Sequence, residues 1–237
     1  MQTTFLKRLK SVQGAIPSMR CNVVPSSFDP TDEAMLAFPL PISWQWSSCE
    51  RFLRERAARI VMTRLPLFWQ LEVLLHDVCK AVGAPLFIGS PQNMPVGAAA
   101  IAAMGIDTII TSGEDCGAFA THLSDRAIPL PKNLFIVRTP EESWGTPPTL
   151  SRAGVRIHQE VHLFPGVVIA EQCAHADAGV QACFHLSDGV RIDTRGSDSY
   201  LTIDKELPLP ITDLEIPFSL RAGGTCACGK QILEKIL

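Results

Sequence analysis

Four side chains near the end of the chain are of the kinds that bind soft metal ions. Cys183 and His185 lie two apart in Val-Gln-Ala-Cys-Phe-His-Leu, and Cys226 and Cys228 lie two apart in Gly-Gly-Thr-Cys-Ala-Cys-Gly. In an extended strand, residues two apart share a face. Gln181, Cys183 and His185 therefore line one face, with Val180, Ala182, Phe184 and Leu186 on the other. Gly223 and Gly224 permit a tight turn, after which the Cys226 and Cys228 thiolates can converge on one ion. Together they make a Cys₃His set, a common closed zinc shell, and thiolate and imidazole favour zinc over magnesium or calcium. With every position filled by protein, such a zinc is structural, and its binding energy becomes folding energy. Cys173-Ala-His175 is a rival pair that can supply either ligand type. The bland alternative is a group of reduced thiols without metal.

Three other places have residue types suited to chemistry. Ser112-Gly113-Glu114-Asp115 follows an apolar run and opens a helical pattern; the carboxyl edge of an open α/β sheet is where ligands bind, although an N-capped helix start with acids near its dipole explains the same residues. His158, Glu160 and His162 alternate, which puts them on one strand face, either as an acid-base or metal cluster or, the favoured reading, as a solvated polar face. Asp213 ends an apolar stretch ahead of the cysteine pair. The chain has no Walker-type phosphate loop, G-x-G-x-x-G turn, G-x-S-x-G elbow or H-E-x-x-H helix.

The elements that must position these residues read as an α/β layer. Ser48 is a candidate N-cap for an amphipathic helix. Strands are expected at 59–63, 85–89, 107–111 and 133–137, alternating with helices at 67–82, 93–104 and 114–123, with Gly83 and Gly105 as stops. Strands apolar on both faces, separated by helices, predict a doubly wound parallel sheet covered on both sides. From Val155 to Leu220 short runs broken by Gly, Asp and Pro predict a mostly antiparallel β region, with helical character returning only in the last residues. The expected organisation is an irregular lead-in over 1–46, a parallel α/β subdomain over 47–150 and a zinc-stapled, β-rich subdomain over 151–237.

Composition narrows the function classes. A net charge of −3 and 19% charged residues give no bulk attraction to nucleic acid or anionic membrane. No apolar run approaches the roughly 20 residues of a membrane span. Lys7, Arg8, Lys10 and Arg20 precede the first acid, Asp29; a packed amphipathic helix is the favoured reading and an organelle presequence the alternative. No apolar signal core is present, so a cytoplasmic, reducing location is expected and the eight cysteines are not a disulfide framework. Cys21, Cys49, Cys79 and Cys116 read as lone buried thiols.

Several stretches together resemble a known family. They are Gly-Ile-Asp-Thr-Ile-Ile-Thr (105–111), Ala118-Phe119-Ala120, Pro210-Ile-Thr-Asp213-Leu and Gly224-Thr-Cys226-Ala-Cys228-Gly229. In this order they resemble the large domain of adenylate-forming enzymes of the phenylacetate–coenzyme A ligase branch. The resemblance implies that Asp213 matches the acid holding the AMP ribose hydroxyls. It also implies that Cys183, ahead of Ser187-Asp188-Gly189-Val190, matches a family cysteine where relatives can bind zinc. ATP or AMP and magnesium are the further ligands implied. The family's Ser/Thr/Gly-rich phosphate loop is absent, its Tyr-Gly-x-x-Glu falls on Gln-Cys-Ala-His-Ala-Asp (172–177), and Arg191 stands where its His would be. The arginine of the Tyr-Arg-Thr-Gly-Asp motif has no counterpart, and the chain stops at Leu237, before a lysine-bearing C-terminal domain. The expectation is therefore a truncated, degenerate acyl-adenylating ligase-like protein, a pseudoenzyme with at most weak AMP, ATP or acyl binding. The alternatives are an acyl-CoA ligase subunit that needs a partner for the missing parts, and a zinc-stabilised interaction scaffold, alone or as a homo-oligomer.

Overall fold

The computed structural model describes residues 21–25, 35–39, 46–66, 71–145, 150, 154–163, 168–173, 183–196, 198–204, 211–216 and 219–235. The expected N-terminal amphipathic helix, the start of the helix at Leu67, and His175, Val180, Gln181 and Ala182 lie outside these residues. The chain divides into two compact units, one of Trp46–Val161 with Ala176–Ala182, the other of Met1–Gln45, His162–His175 and Cys183–Leu237.

Within the expected irregular lead-in, β1 (Cys21–Pro25) and β2 (Met35–Pro39) pair antiparallel, with Cys21 opposite Pro39. The parallel unit then runs α1 (Ser47–Glu55), β3 (Val61–Arg64), α2 (Leu71–Val82), β4 (Leu86–Ile88), α3 (Met94–Met104), β5 (Thr108–Ser112), α4 (Gly113–Asp125), β6 (Asn133–Arg138) and β7 (Arg156–His162). The sheet order is β7-β6-β5-β3-β4 and every pairing is parallel. Local chemistry sets most boundaries. Asn93 accepts from the Val96 N–H to cap α3, and Gly105 ends it at φ 66°. The Ser112 side chain accepts from the Asp115 N–H to cap α4. Ser48 is not a cap: α1 starts at Ser47 behind a left-handed Trp46, without a side-chain cap, and Ser48 is buried inside the helix. Met62, Ile109, Ile136, Ile101, Phe119 and Leu123 pack as one core between sheet and helices, each burial stabilising by about 1.5–3 kcal/mol.

β7 departs from the antiparallel region predicted for it. It is a fifth parallel strand, hydrogen-bonded to β6 from Arg156 opposite Asn133 to Val161 opposite Arg138. Its last four residues are fully buried, so the expected solvated polar face does not exist; Glu160 is 0% and His162 1% exposed.

The second unit is antiparallel. It contains β8 (Val168–Gln172), β9 (Phe184–Leu186), β10 (Val190–Arg195), β11 (Asp198–Ile203), β12 (Ile211–Ile216), β13 (Leu220–Thr225) and β14 (Gln231–Lys235). The strands lie in the orders β13-β14-β9-β8 and β10-β11-β12. Ser199 links the two sheets: its Oγ donates to the Leu220 carbonyl at 2.6 Å and accepts from the Leu220 N–H at 3.2 Å. The helical character expected at the C-terminus is not realised over 231–235, which form β14, paired to β13 on one side and β9 on the other. No helix among the described residues is long and apolar enough to cross a membrane.

Candidate functional site

Three strand ends and one hairpin turn bring the soft ligands together. β8 and β9 pair with Gln172 opposite Phe184, and one step on, the Cys173 N–H donates to the Cys183 carbonyl at 2.7 Å. β14 lies on the other side of β9 with Ile232 opposite His185. The β13–β14 connection closes through Gly229 N–H to the Cys226 carbonyl and Cys226 N–H to the Lys230 carbonyl, both 2.8 Å. Gly229 sits at φ 85°, the left-handed position that a tight hairpin turn followed by a bulge requires. A register shift between Ala222 and Thr225 absorbs Gly223-Gly224. The turn thereby presents Cys226 and Cys228 beside the β8 and β9 ends.

The donor atoms of Cys173, His185, Cys226 and Cys228 all lie within 4.8 Å of one another. Cys173 Sγ is 3.9 Å from Cys226 Sγ, and Cys228 Sγ is 3.3 Å from His185 Nε2. A tetrahedral ion with bonds of 2.3 Å to sulfur and 2.0–2.1 Å to nitrogen sets edges of about 3.8 Å between sulfurs and about 3.5 Å between sulfur and nitrogen. The set thus has the spacing as well as the chemistry to hold a metal ion. Three of the four residues expected from sequence, His185, Cys226 and Cys228, belong to it, with Cys173 of the rival pair as the fourth member. Cys183 stands beside it, its carbonyl accepting from the Cys173 N–H. The Cys226 thiol is lowered to about 6, first by the Cys228 backbone N–H and then by His185, whereas burial and Cys226 raise Cys183 to about 11. The thiolate is the metal-binding form.

The lone cysteines behave differently. Burial raises Cys49 well above its ordinary value, and Cys79 and Cys116 to about 11, as for inert packing thiols.

The carboxyl edge of the parallel sheet is filled by the chain's own ion pairs. Arg64 ends β3, is 0% exposed, and donates through Nε and Nη2 to Asp115 at 2.8 and 2.9 Å. Its other donors reach the Ser90 and Pro91 carbonyls, and its guanidinium lies 3.7 Å from the Phe119 ring centre. Asp115 also accepts from Thr111 Oγ1 at 2.9 Å. Arg138 ends β6 and donates to Gln159 Oε1 at 2.9 Å and the Gly145 carbonyl at 2.8 Å, with Glu142 at 3.6 Å. A Cβ on Gly113 would collide with Glu142 and Arg138. Glu142 is raised to about 6, chiefly by burial, against the lowering effect of Arg138. The Ser112-to-Asp115 turn is therefore both a helix cap and half of a buried ion pair. Within β7, Glu160 accepts from the Trp46 indole at 2.9 Å, and His158 packs against Phe52 and Phe135.

Asp213 lies in β12 at φ 52°, exposed, its Oδ1 accepting from Arg195 Nη2 at 2.7 Å and its N–H donating to Thr202 Oγ1 at 3.2 Å. Arg195 in turn stacks 4.6 Å over Tyr200. Sequence reasoning singled out Asp213 but missed Arg64 and Arg138, whose position as the last residue of an apolar strand was the available signal.

Compared by sequence, the chain matches no protein-family model and no curated protein. Compared by structure, it is similar to adenylate-forming ligases. The o-succinylbenzoate coenzyme A synthetase MenE of Bacillus subtilis, solved with AMP, aligns at TM-score 0.58 and 10% identity over 90% of this chain and 48% of that one. The amide bond synthetase McbA of Marinactinospora thermotolerans aligns at TM-score 0.55 and 13% identity over 81% and 44%. A malonyl-CoA ligase solved with methylmalonyl-CoA and AMP aligns at TM-score 0.53 and 10% identity over 90% and 52%. The chain thus has the fold of these ligases and spans about half their length.

Proposed function

We propose that this chain is a degenerate acyl-adenylating ligase-like protein that does not itself adenylate an acid and binds AMP, ATP or an acyl ligand weakly. One structural zinc, held by Cys173, His185, Cys226 and Cys228, staples its antiparallel unit. The supporting observation is the carboxyl edge of the parallel sheet, where Arg64 and Arg138 are already committed to Asp115 and Glu142. Adenylation needs cationic or amide donors, and magnesium, aimed at the transferring phosphoryl group. Cations neutralised by buried carboxylates of the same chain are poor suppliers of that charge. The available thiols suit a reducing compartment such as the cytoplasm, and Asp213, engaged by Arg195, is the residue proposed for a ribose contact. The test is pyrophosphate release from ATP with a panel of aryl and acyl acids, together with thermal shift in AMP. The proposal expects no release above background and little shift at millimolar AMP. Acid-dependent release by the isolated chain would overturn it.

A second reading is a ligase subunit completed by a partner chain that brings the phosphate loop and the lysine-bearing domain. The fold shared with these ligases supports it. It predicts release only when that partner is added.

A further inference from the structure

Opposite the carboxyl edge, the amino-terminal edge of the parallel sheet carries a separate cleft of about 470 Å³. Its charged lining is Arg56, Arg59, Lys132 and Arg156 against a single acid, Asp107. That acid is already spent. Asp107 Oδ1 accepts from the Arg59 and Ile60 N–H groups and Thr108 Oγ1, and Oδ2 accepts from Arg59 Nε at 3.2 Å. It neutralises Arg59 and ties the entry of β3 to the entry of β5. Arg56, Lys132 and Arg156 have no acidic partner among the described residues, and the buried Arg56 Nε has no hydrogen-bond partner at all. That nitrogen faces the protein rather than the cleft, and the Arg56 guanidinium lies 5.7 Å from the Phe52 ring centre, so its outer nitrogens are the ones available to an anion.

The backbone fixes the points from which the three side chains extend. The Arg156 N–H donates to the Lys132 carbonyl at 2.9 Å, which couples the entries of β6 and β7. Arg56 closes α1, where Ala57 turns left-handed at φ 47°. Helix C-termini carry partial negative charge, so one cation near α1 is expected on structural grounds alone. Lys132 and Arg156, on strand entries, have no such role.

We infer that this cleft binds a small polyanion carrying a diphosphate group, either inorganic pyrophosphate or the diphosphate of a nucleotide. Three cations without an acidic partner match a ligand of roughly three negative charges, and the volume falls in the range of small-molecule sites. This inference does not rest on the reading of the carboxyl edge.

Isothermal titration with inorganic pyrophosphate, ADP and sulfate, at low and at physiological salt, tests it. Saturable pyrophosphate binding that weakens with salt is expected, with sulfate much weaker. Tighter binding of ADP than pyrophosphate assigns the nucleotide; the reverse order assigns the free anion. Lys132→Gln/Arg156→Gln should weaken binding by about tenfold or more per cation removed without changing the thermal midpoint, and Arg156→Lys should largely retain it. No saturable binding of either diphosphate at millimolar concentration overturns the inference. So does binding that survives the double substitution, or a double substitution whose only effect is lost stability.

Discussion

Replacing Arg64 by methionine should be among the most damaging single changes in the parallel unit. The guanidinium is fully buried and makes two charge-assisted bonds to Asp115 and two to carbonyls, over the face of Phe119. Methionine fills much of the volume but leaves Asp115, whose side chain is 5% exposed, as a buried carboxylate with only Thr111 Oγ1 and the α4 terminus for company. Breaking a buried pair from one side costs about 3–5 kcal/mol, a large part of the roughly 5–15 kcal/mol that holds a typical domain together. Removing both charges is far milder, because each partner's desolvation disappears with it. Arg64→Met/Asp115→Asn should therefore recover about 2 kcal/mol or more of the single-variant loss. Urea unfolding of the wild type, both singles and the double gives the coupling energy directly. A single Arg64→Met cost below about 1 kcal/mol, or strictly additive singles, would refute the view that this pair plugs the sheet edge.

Other consequences are equally specific. Glu142 is pushed from 4.5 up to about 6, chiefly by burial. The folded state thus holds its proton more tightly than the unfolded one, and stability falls as pH rises through that window. Glu142→Gln should gain up to about 2 kcal/mol at pH 7 and nothing at pH 4, read by denaturant midpoints at both pH values. Cys173→Ser should abolish stoichiometric metal binding while Cys183→Ser leaves it near wild type; the opposite pattern in metal content would return the fourth ligand to Cys183. Ala127 follows the α4 C-cap Arg126 at φ 52°, with its N–H on the Ser124 carbonyl and the Ile128 N–H on the Leu123 carbonyl. Glycine suits that position, so Ala127→Gly should raise stability by about 0.5–1 kcal/mol in thermal unfolding.

The alternation of strands and helices was legible because β3, β5 and β6 are buried on both faces and helix caps such as Asn93, Gly105 and Ser112 mark their neighbours. β7 was not, because His158, Gln159, Glu160 and His162 look like a wet strand. Their burial depends on partners far along the chain, Trp46 and Phe52 among them. Gln-Ile-Leu-Glu-Lys over 231–235 has helix-forming residues, yet the Cys226–Lys230 turn and pairing to β9 make it a strand. The soft-ligand cluster was readable in its residue types, and three of its four members, His185, Cys226 and Cys228, were named from the sequence. Alternation correctly put His185 in a strand, but only the β8–β9 register reveals that Cys173 arrives at the same point. The ion pairs at the sheet edge are long-range contacts, 51 residues apart for Arg64 and Asp115, and no local pattern announces them.

The account turns most directly on the metal ion proposed for the Cys173, His185, Cys226 and Cys228 cluster. X-ray absorption at the zinc edge, on protein purified without added metal, should find one zinc per chain in a shell of three sulfurs near 2.3 Å and one nitrogen near 2.0 Å. Protein that comes out zinc-free, and unfolds at the same temperature with or without chelator, would contradict it.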